Sequence, residues 1–218
     1  MALNRSKGNM YDFVTHTWNT VKGECPYGCS YCYMRRWRKQ PKLRFDEKEL
    51  KTDLGSDNFI FVGSSCDMWA DEIPEYWILR TLEHCDKFDN EYLFQTKNPK
   101  NIRRILPSHS VVCVTFETNI WFSKIMNNAP HPDDRFKEMK LIIHPLYVTI
   151  EPIMNFDLNV MIYMMQDCNP IQINIGADSG GNNLPEPPKE KILQLISELE
   201  KITIVKQKKN LMRLTGGG

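Results

Sequence analysis

The chain has 218 residues, 41% of them hydrophobic and 25% charged, which suits one sizeable domain with an ordinary globular core. Its 28 basic and 27 acidic residues leave a net charge of +1, so overall charge selects no partner and any attraction to nucleic acid must come from a local patch. No apolar run reaches bilayer-spanning length, and Met1–Met10 lacks the apolar stretch of a secretory signal. A cytoplasmic location without membrane association is the expectation.

In chain order, a strand is expected near Asp12–Trp18, followed by a cysteine-rich segment and a basic one. A strand over Phe59–Gly63 then precedes a helix opened by Pro74, whose Trp77, Ile78, Leu82 and Cys85 form an apolar stripe. Strand Tyr92–Thr96 leads to a short helix with Ile102, Ile105 and Leu106 on its core face. Strands Val111–Phe116, Leu146–Ile150 and Ile171–Gly176 come next. Ser179–Pro188, rich in Pro and Gly, reads as a surface connection. Ile192, Leu195, Ile196 and Leu199 mark a further helix, and Ile202–Lys206 the last strand. Strand–helix alternation at this spacing implies parallel pairing with helical crossovers. The fold class is therefore α/β, an incomplete TIM-like (β/α) barrel of parallel strands with outer helices, forming one domain over residues 1–215. Gly216–Gly218 reads as a disordered tail. In such folds functional residues gather at the carboxyl ends of the strands.

Seven cysteines is an odd count, and three of them, Cys25, Cys29 and Cys32, fall within eight residues. That crowding favours metal or redox chemistry over a disulfide framework. The spacing C-x3-C-x2-C puts three soft thiolates on one short loop, suited to an iron–sulfur cluster. Three ligands for four irons leave one iron open, as a catalytic cluster requires. Two alternatives stand beside this: zinc held by the three thiolates with His16, and a purely structural or electron-transfer cluster. Cys85, Cys113 and Cys168 read as structural residues in helix, strand and loop.

The loop Cys25-Pro26-Tyr27-Gly28-Cys29-Ser30-Tyr31-Cys32, with an aromatic before its last cysteine, resembles the radical S-adenosylmethionine (SAM) superfamily. That resemblance implies a [4Fe–4S] cluster on Cys25, Cys29 and Cys32 whose open iron chelates SAM. It also implies reductive cleavage to a 5′-deoxyadenosyl radical, and an electron donor such as flavodoxin or ferredoxin. By the same resemblance Tyr31 packs beside the adenine, the Gly63-Ser64-Ser65-Cys66 backbone receives the cofactor amino group, and Lys97 pairs with its carboxylate. Glu117, between Thr115 and Thr118, accepts from the ribose.

A closer likeness rests on order. Thr15-x-Thr17-Trp18-Asn19, the cysteine loop, Thr96-Lys97-Asn98-Pro99, Glu117-Thr118, Glu151-Pro152 and Lys206-Gln207 together resemble a phage-associated radical SAM family related to spore photoproduct lyase. Members tend to carry Ser-Asp where this chain has Cys66-Asp67. Cys66 then either lines the cofactor pocket or, as a cysteine of that lyase does, returns a hydrogen atom to a product radical. Glu151, Asp178 and Lys206 are the candidates for substrate contact or proton transfer.

Six of the ten residues Arg35–Arg44 are basic: Arg35, Arg36, Arg38, Lys39, Lys42 and Arg44, with Trp37 interleaved. Such a patch either holds phosphates with an indole for stacking or is a solvated face beside an anionic site. Lys206, Lys208, Lys209 and Arg213 add a second basic group. The resemblance implies radical modification or isomerisation of a thymine-derived base, in DNA or as a nucleotide. One such role is rearrangement of an amino-acid adduct on the thymine 5-methylene. A radical enzyme acting on a peptide or small metabolite is the alternative within this chemistry. A non-catalytic zinc or iron–sulfur module that binds nucleic acid is the alternative outside it.

Overall fold

A computed structural model describes residues 3–7, 10–36, 39–102 and 105–216. Its centre is an eight-stranded sheet of order β1-β2-β5-β6-β7-β8-β9-β10. The strands are β1 (Asn4–Arg5), β2 (His16–Trp18), β5 (Phe59–Val62), β6 (Glu91–Thr96), β7 (Ser110–Thr115), β8 (Leu146–Ile150), β9 (Gln172–Ile175) and β10 (Ile204–Gln207). Every neighbouring pair from β2 to β10 is parallel, and only β1 runs antiparallel, on β2. β1 and β10 end the order without pairing to each other, so the sheet is a partial barrel. A separate antiparallel pair, β3 (Val21–Lys22) and β4 (Arg44–Phe45), brackets the cysteine segment.

Alternation within each strand builds two layers. Ile60, Val62, Tyr92, Phe94, Val112, Val114, Val148, Ile150, Ile173 and Ile175 face outward. There they meet the buried stripes of α1 (Glu75–Cys85), α4 (Leu158–Cys168) and α5 (Lys189–Leu199). Each such fully buried aliphatic side chain contributes roughly 1.5–3 kcal/mol over an exposed one. The shorter helices are α2 (Ser123–Met126), α3 (Pro132–Met139) and α6 (Met212–Thr215). Phe61, Leu93, Val111 and Cys113 face inward, against Tyr11 and Val14. Phe13 completes this plug: its ring lies 5.3 Å from Tyr11, 5.0 Å from Phe59 and 5.5 Å from Tyr147.

The structure corrects four expectations. The first parallel strand begins at His16 rather than Asp12. Residues 11–14 form a turn closed by Val14 N–H to Tyr11 O, because their apolar side chains cover the concave face instead of extending the sheet. Cys168 is the last residue of α4, not a loop residue. Ile105 is 90% exposed; among the described residues the 3₁₀ turn there is Pro99–Ile102 and Ile105 lies in no helix. Gly216 is a left-handed cap on α6; Gly217 and Gly218 lie outside the described residues, as do Trp37 and Arg38 of the basic segment. No described helix is long and apolar enough to cross a membrane.

Candidate active site

The carboxyl ends of the parallel strands open on one side of the sheet, and the cysteine loop lies over them. Its entry needs Gly23, whose φ is +105° and where a Cβ would lie 2.5 Å from Lys42 O. That close approach lets Glu24 N–H donate to Pro41 O. The loop is then pinned from below by the segment around α2. Ser30 N–H donates to Ile125 O, Asn127 Nδ2 to Gly28 O at 2.6 Å and Asn128 Nδ2 to Pro26 O at 3.1 Å. Arg35 Nη1 donates to Gly28 O and Cys29 O at 3.2 and 3.3 Å. Arg35 therefore braces the loop, whereas Arg36, Lys39, Lys42 and Arg44 are exposed.

All seven cysteines are free thiols. Cys29 donates to Met126 O, and burial pushes its thiol up to about 11. A hydrogen bond from Cys66 holds Cys25 below the usual cysteine range, and that same bond, with burial, pushes Cys66 up. Among the described residues no three His, Cys, Asp or Glu side chains converge as a single metal ion requires. His16, the fourth ligand considered for zinc, sits at the start of β2 and is bonded to the Thr15 hydroxyl. Three soft thiolates on one short loop are a donor set that fits an iron–sulfur cluster.

Around the loop, each strand end contributes. Asn19, directly after β2, accepts through Oδ1 from Ser65 N–H at 2.9 Å, Ser65 Oγ at 3.0 Å and Ser64 Oγ at 3.3 Å. Tyr33 donates to Ser64 O at 2.6 Å, tying the cysteine segment to this turn. Gly63, at φ +81°, starts the turn. Asp67 accepts from Trp69 N–H, the Thr96 hydroxyl and Lys97 N–H; loss of solvent pushes its carboxyl up against those bonds. It thereby locks the β5 turn to the end of β6 and sets where Lys97 leaves the strand.

Glu117 is fully buried, and so is its partner Arg135 on α3, at 0% and 1% side-chain exposure. Arg135 Nη1 donates to Glu117 Oε2 at 2.6 Å and to Thr115 O, while its Nε donates to Pro130 O. Tyr31 OH donates to Glu117 Oε1. Lys97 Nζ stands 3.5 Å from the same oxygen and 5.5 Å from the Tyr31 ring centre. Tyr31, Lys97 and Glu117, expected as cofactor contacts, are thus brought together. Thr115 Oγ1 accepts from Gln95, and Thr118 Oγ1 donates to Asn155 O, so these two support the turn around Glu117.

The remaining candidates separate. Glu151 Oε2 pairs with Lys208 Nζ at 2.7 Å, with 18% and 11% side-chain exposure, and Asn210 Nδ2 donates to Oε1. Lys208 also lies 4.6 Å over the Tyr11 ring. Lys206 is exposed on the edge strand, two residues short of this contact. Asp178 turns into its own loop. Burial alone would raise it, but Asn182 N–H, Gly180 N–H and Asn182 Nδ2 hold it below the usual value. Arg213 is paired with Glu186, so the second basic group keeps less free charge than its sequence implies. Sequence reasoning missed Asn19 and Lys208 as contacts although both follow a strand end. Arg135 carried no signal, since an arginine on a polar helix reads as solvated.

A family model described as a protein of unknown function, DUF5131, matches residues 9–189. No curated protein shows a significant sequence match. Among solved structures, spore photoproduct lyase with bound AdoMet and dinucleoside spore photoproduct superposes with a TM-score of 0.59 at 10% identity, over 92% of this chain and 66% of that one. SuiB of Streptococcus suis bound to its precursor peptide SuiA gives 0.54 at 9%, over 88% of this chain and 48% of that one. SuiB bound to S-adenosylmethionine gives 0.52 at 8%, over 88% and 49%. The chain thus spans about two thirds of the lyase and half of SuiB, and the likeness is one of fold.

Proposed function

We propose that this chain, which belongs to the DUF5131 family, is a radical SAM enzyme that modifies or isomerises a thymine-derived base in DNA or in a nucleotide. The observation that carries the reading is the placement of three free thiols, spaced C-x3-C-x2-C, over the carboxyl ends of a partial barrel. The fold shared with two proteins whose structures hold S-adenosylmethionine supports it. When bound, the cluster and SAM, with an electron from a flavodoxin- or ferredoxin-type donor, supply a 5′-deoxyadenosyl radical able to take hydrogen from carbon.

The chain's own residues hold, orient and exclude water. Cys25, Cys29 and Cys32 are the cluster ligands. Asn19 fixes the Ser64–Ser65 turn, whose carbonyls suit an ammonium group. Lys97, aimed by Asp67, offers its charge to a carboxylate. Tyr31 would lie beside the adenine and Glu117, kept in place by Arg135, would accept from the ribose hydroxyls. Glu151 and Lys208, deeper toward the concave face, meet the substrate. Cys66 lies on the cofactor side, where a thiol can return a hydrogen atom; unchanged turnover and product distribution in Cys66→Ala would remove that role. Exposed Arg36, Lys39, Lys42 and Arg44 supply phosphate contacts. A kinship with phage-associated, DNA-modifying members belongs to this same reading.

The test is anaerobic turnover with DNA or thymidine nucleotides deuterated at the thymine methyl. Deuterium in 5′-deoxyadenosine is the expected result. Deuterium retained in the base, with label transferred instead from a deuterated peptide, would move the reading to peptide substrates.

A further inference from the structure

Two free thiols from separate segments meet beside the strand ends. Cys25 opens the cysteine loop, and Cys66 lies on the turn after β5. The Cys66 thiol donates to Cys25 Sγ, which also accepts from Asp67 N–H and Tyr27 N–H. Cys66 is 3% exposed, whereas Cys25 is half-buried. Cys29 is engaged elsewhere, with Met126 O.

Both segments are anchored. Gly63 N–H donates to Trp18 O at 2.9 Å, and Ser65 N–H donates to Asn19 Oδ1. The Asp67 carboxylate accepts from Lys97 N–H at 2.7 Å, so the turn that carries Cys66 is fastened to the ends of β2 and β6. On the other side, Glu24 N–H donates to Pro41 O and Gly28 N–H donates to Cys25 O. Tyr33 OH, bonded to Ser64 O, joins the two segments directly. Anchored main chains on both sides hold the two sulfurs against each other. A covalent bond between them draws the sulfurs to about 2.0 Å.

We propose that Cys25 and Cys66 form a redox modification site, coupled by a low-molecular-weight disulfide such as oxidised glutathione when the chain carries no cluster. Cys25, the more exposed sulfur, attacks as thiolate, forms a mixed disulfide and releases one glutathione thiolate. Cys66 gives its proton to solvent, attacks the Cys25 sulfur and releases the second. Two protein thiols lose two electrons, and one glutathione disulfide becomes two glutathione thiols. The bond keeps both sulfurs from irreversible oxidation to sulfinic and sulfonic acids, and a dithiol reductant reverses it. It also withholds one of three thiolates from iron, a consequence that rests on the reading of Cys25 as a cluster ligand. On that reading a loaded cluster occupies Cys25, which confines the modification to the cluster-free chain.

The test treats the cluster-free full chain with oxidised glutathione, alkylates the remaining thiols and sequences the digest by fragment-ion mass spectrometry. Two of the seven thiols are expected to be lost, as a Cys25–Cys66 cross-link without retained glutathione. Cys66→Ser is expected to keep glutathione on Cys25 instead. Iron uptake by the oxidised wild type, under reconstitution without reductant, is expected to fall about tenfold and to recover after dithiothreitol. A Cys29–Cys32 bond, a Cys66 that is alkylated in full, or glutathione retained on wild-type Cys25 would overturn the site. A cross-linked chain that binds no iron after reduction defeats only the cluster reading. A chain that loads iron and never forms the cross-link defeats only the modification site.

Discussion

Two ion pairs sit at neighbouring strand ends, and they are built differently. Glu117 and Arg135 are sealed from solvent, with the guanidinium also spent on two backbone carbonyls. Glu151 and Lys208 keep 18% and 11% exposure, joined through a flexible ammonium. A planar fork with fixed partners suits a frame, and a single mobile ammonium suits a contact that must open for a ligand. On the proposed reading the cofactor side of the mouth is thus rigid and the substrate side yielding, and the contrast is open to attack by substitution.

Arg135→Ala strands a buried carboxylate, and the expected loss is about 3–5 kcal/mol, read as a large fall in denaturation midpoint. A stable Arg135→Ala protein would show that the pair is no frame. Lys208→Met is expected to cost roughly 1–2 kcal/mol. It should lower product formation while sparing the 5′-deoxyadenosine made without substrate; a loss of stability as large as that of Arg135→Ala would erase the contrast. Asn19→Ala, at roughly 1 kcal/mol, should weaken SAM binding with iron content unchanged. Asn19→Asp, which keeps the accepting oxygen, should restore it. If neither variant alters SAM binding, the Ser64–Ser65 turn needs no such support. The smallest effect concerns Asp178, whose folded carboxyl lies below its ordinary 3.8. Its stabilisation is complete above that value and is lost as pH falls through the lower folded one. Acid titration of Asp178→Asn against wild type should show two stability curves that converge at strongly acid pH; parallel curves would mean that Asp178 makes no such contribution.

Much of this was legible in the sequence. Strand Leu146–Ile150 has the expected bounds, and the other parallel strands after β2 lie within two residues of theirs. Runs such as Val111–Val114, buried on both faces, announce parallel strands without tertiary information. The stripe of α5 did the same for its helix. α3 and α4 were harder. α3 has a polar composition and a buried arginine, and α4 carries methionines whose spacing blurs its apolar face. The place of the cysteine loop, over the carboxyl ends of the strands, was readable because in this fold class functional residues gather there. The Glu117–Arg135 pair was not, because it joins a strand end to a helix through contacts that no local pattern encodes. Residues 11–14 misled because a turn that covers an apolar face carries the same alternation as a strand.

The central claim is that the three-cysteine loop holds a cluster that cleaves SAM. The most direct measurement is 5′-deoxyadenosine formation by anaerobically reconstituted, reduced protein, with iron content determined in parallel. The account predicts about four irons per chain and formation of 5′-deoxyadenosine, both lost in Cys25→Ala, Cys29→Ala and Cys32→Ala. Formation that persists in any of these variants, or a colourless wild type that binds zinc and leaves SAM intact, would contradict it.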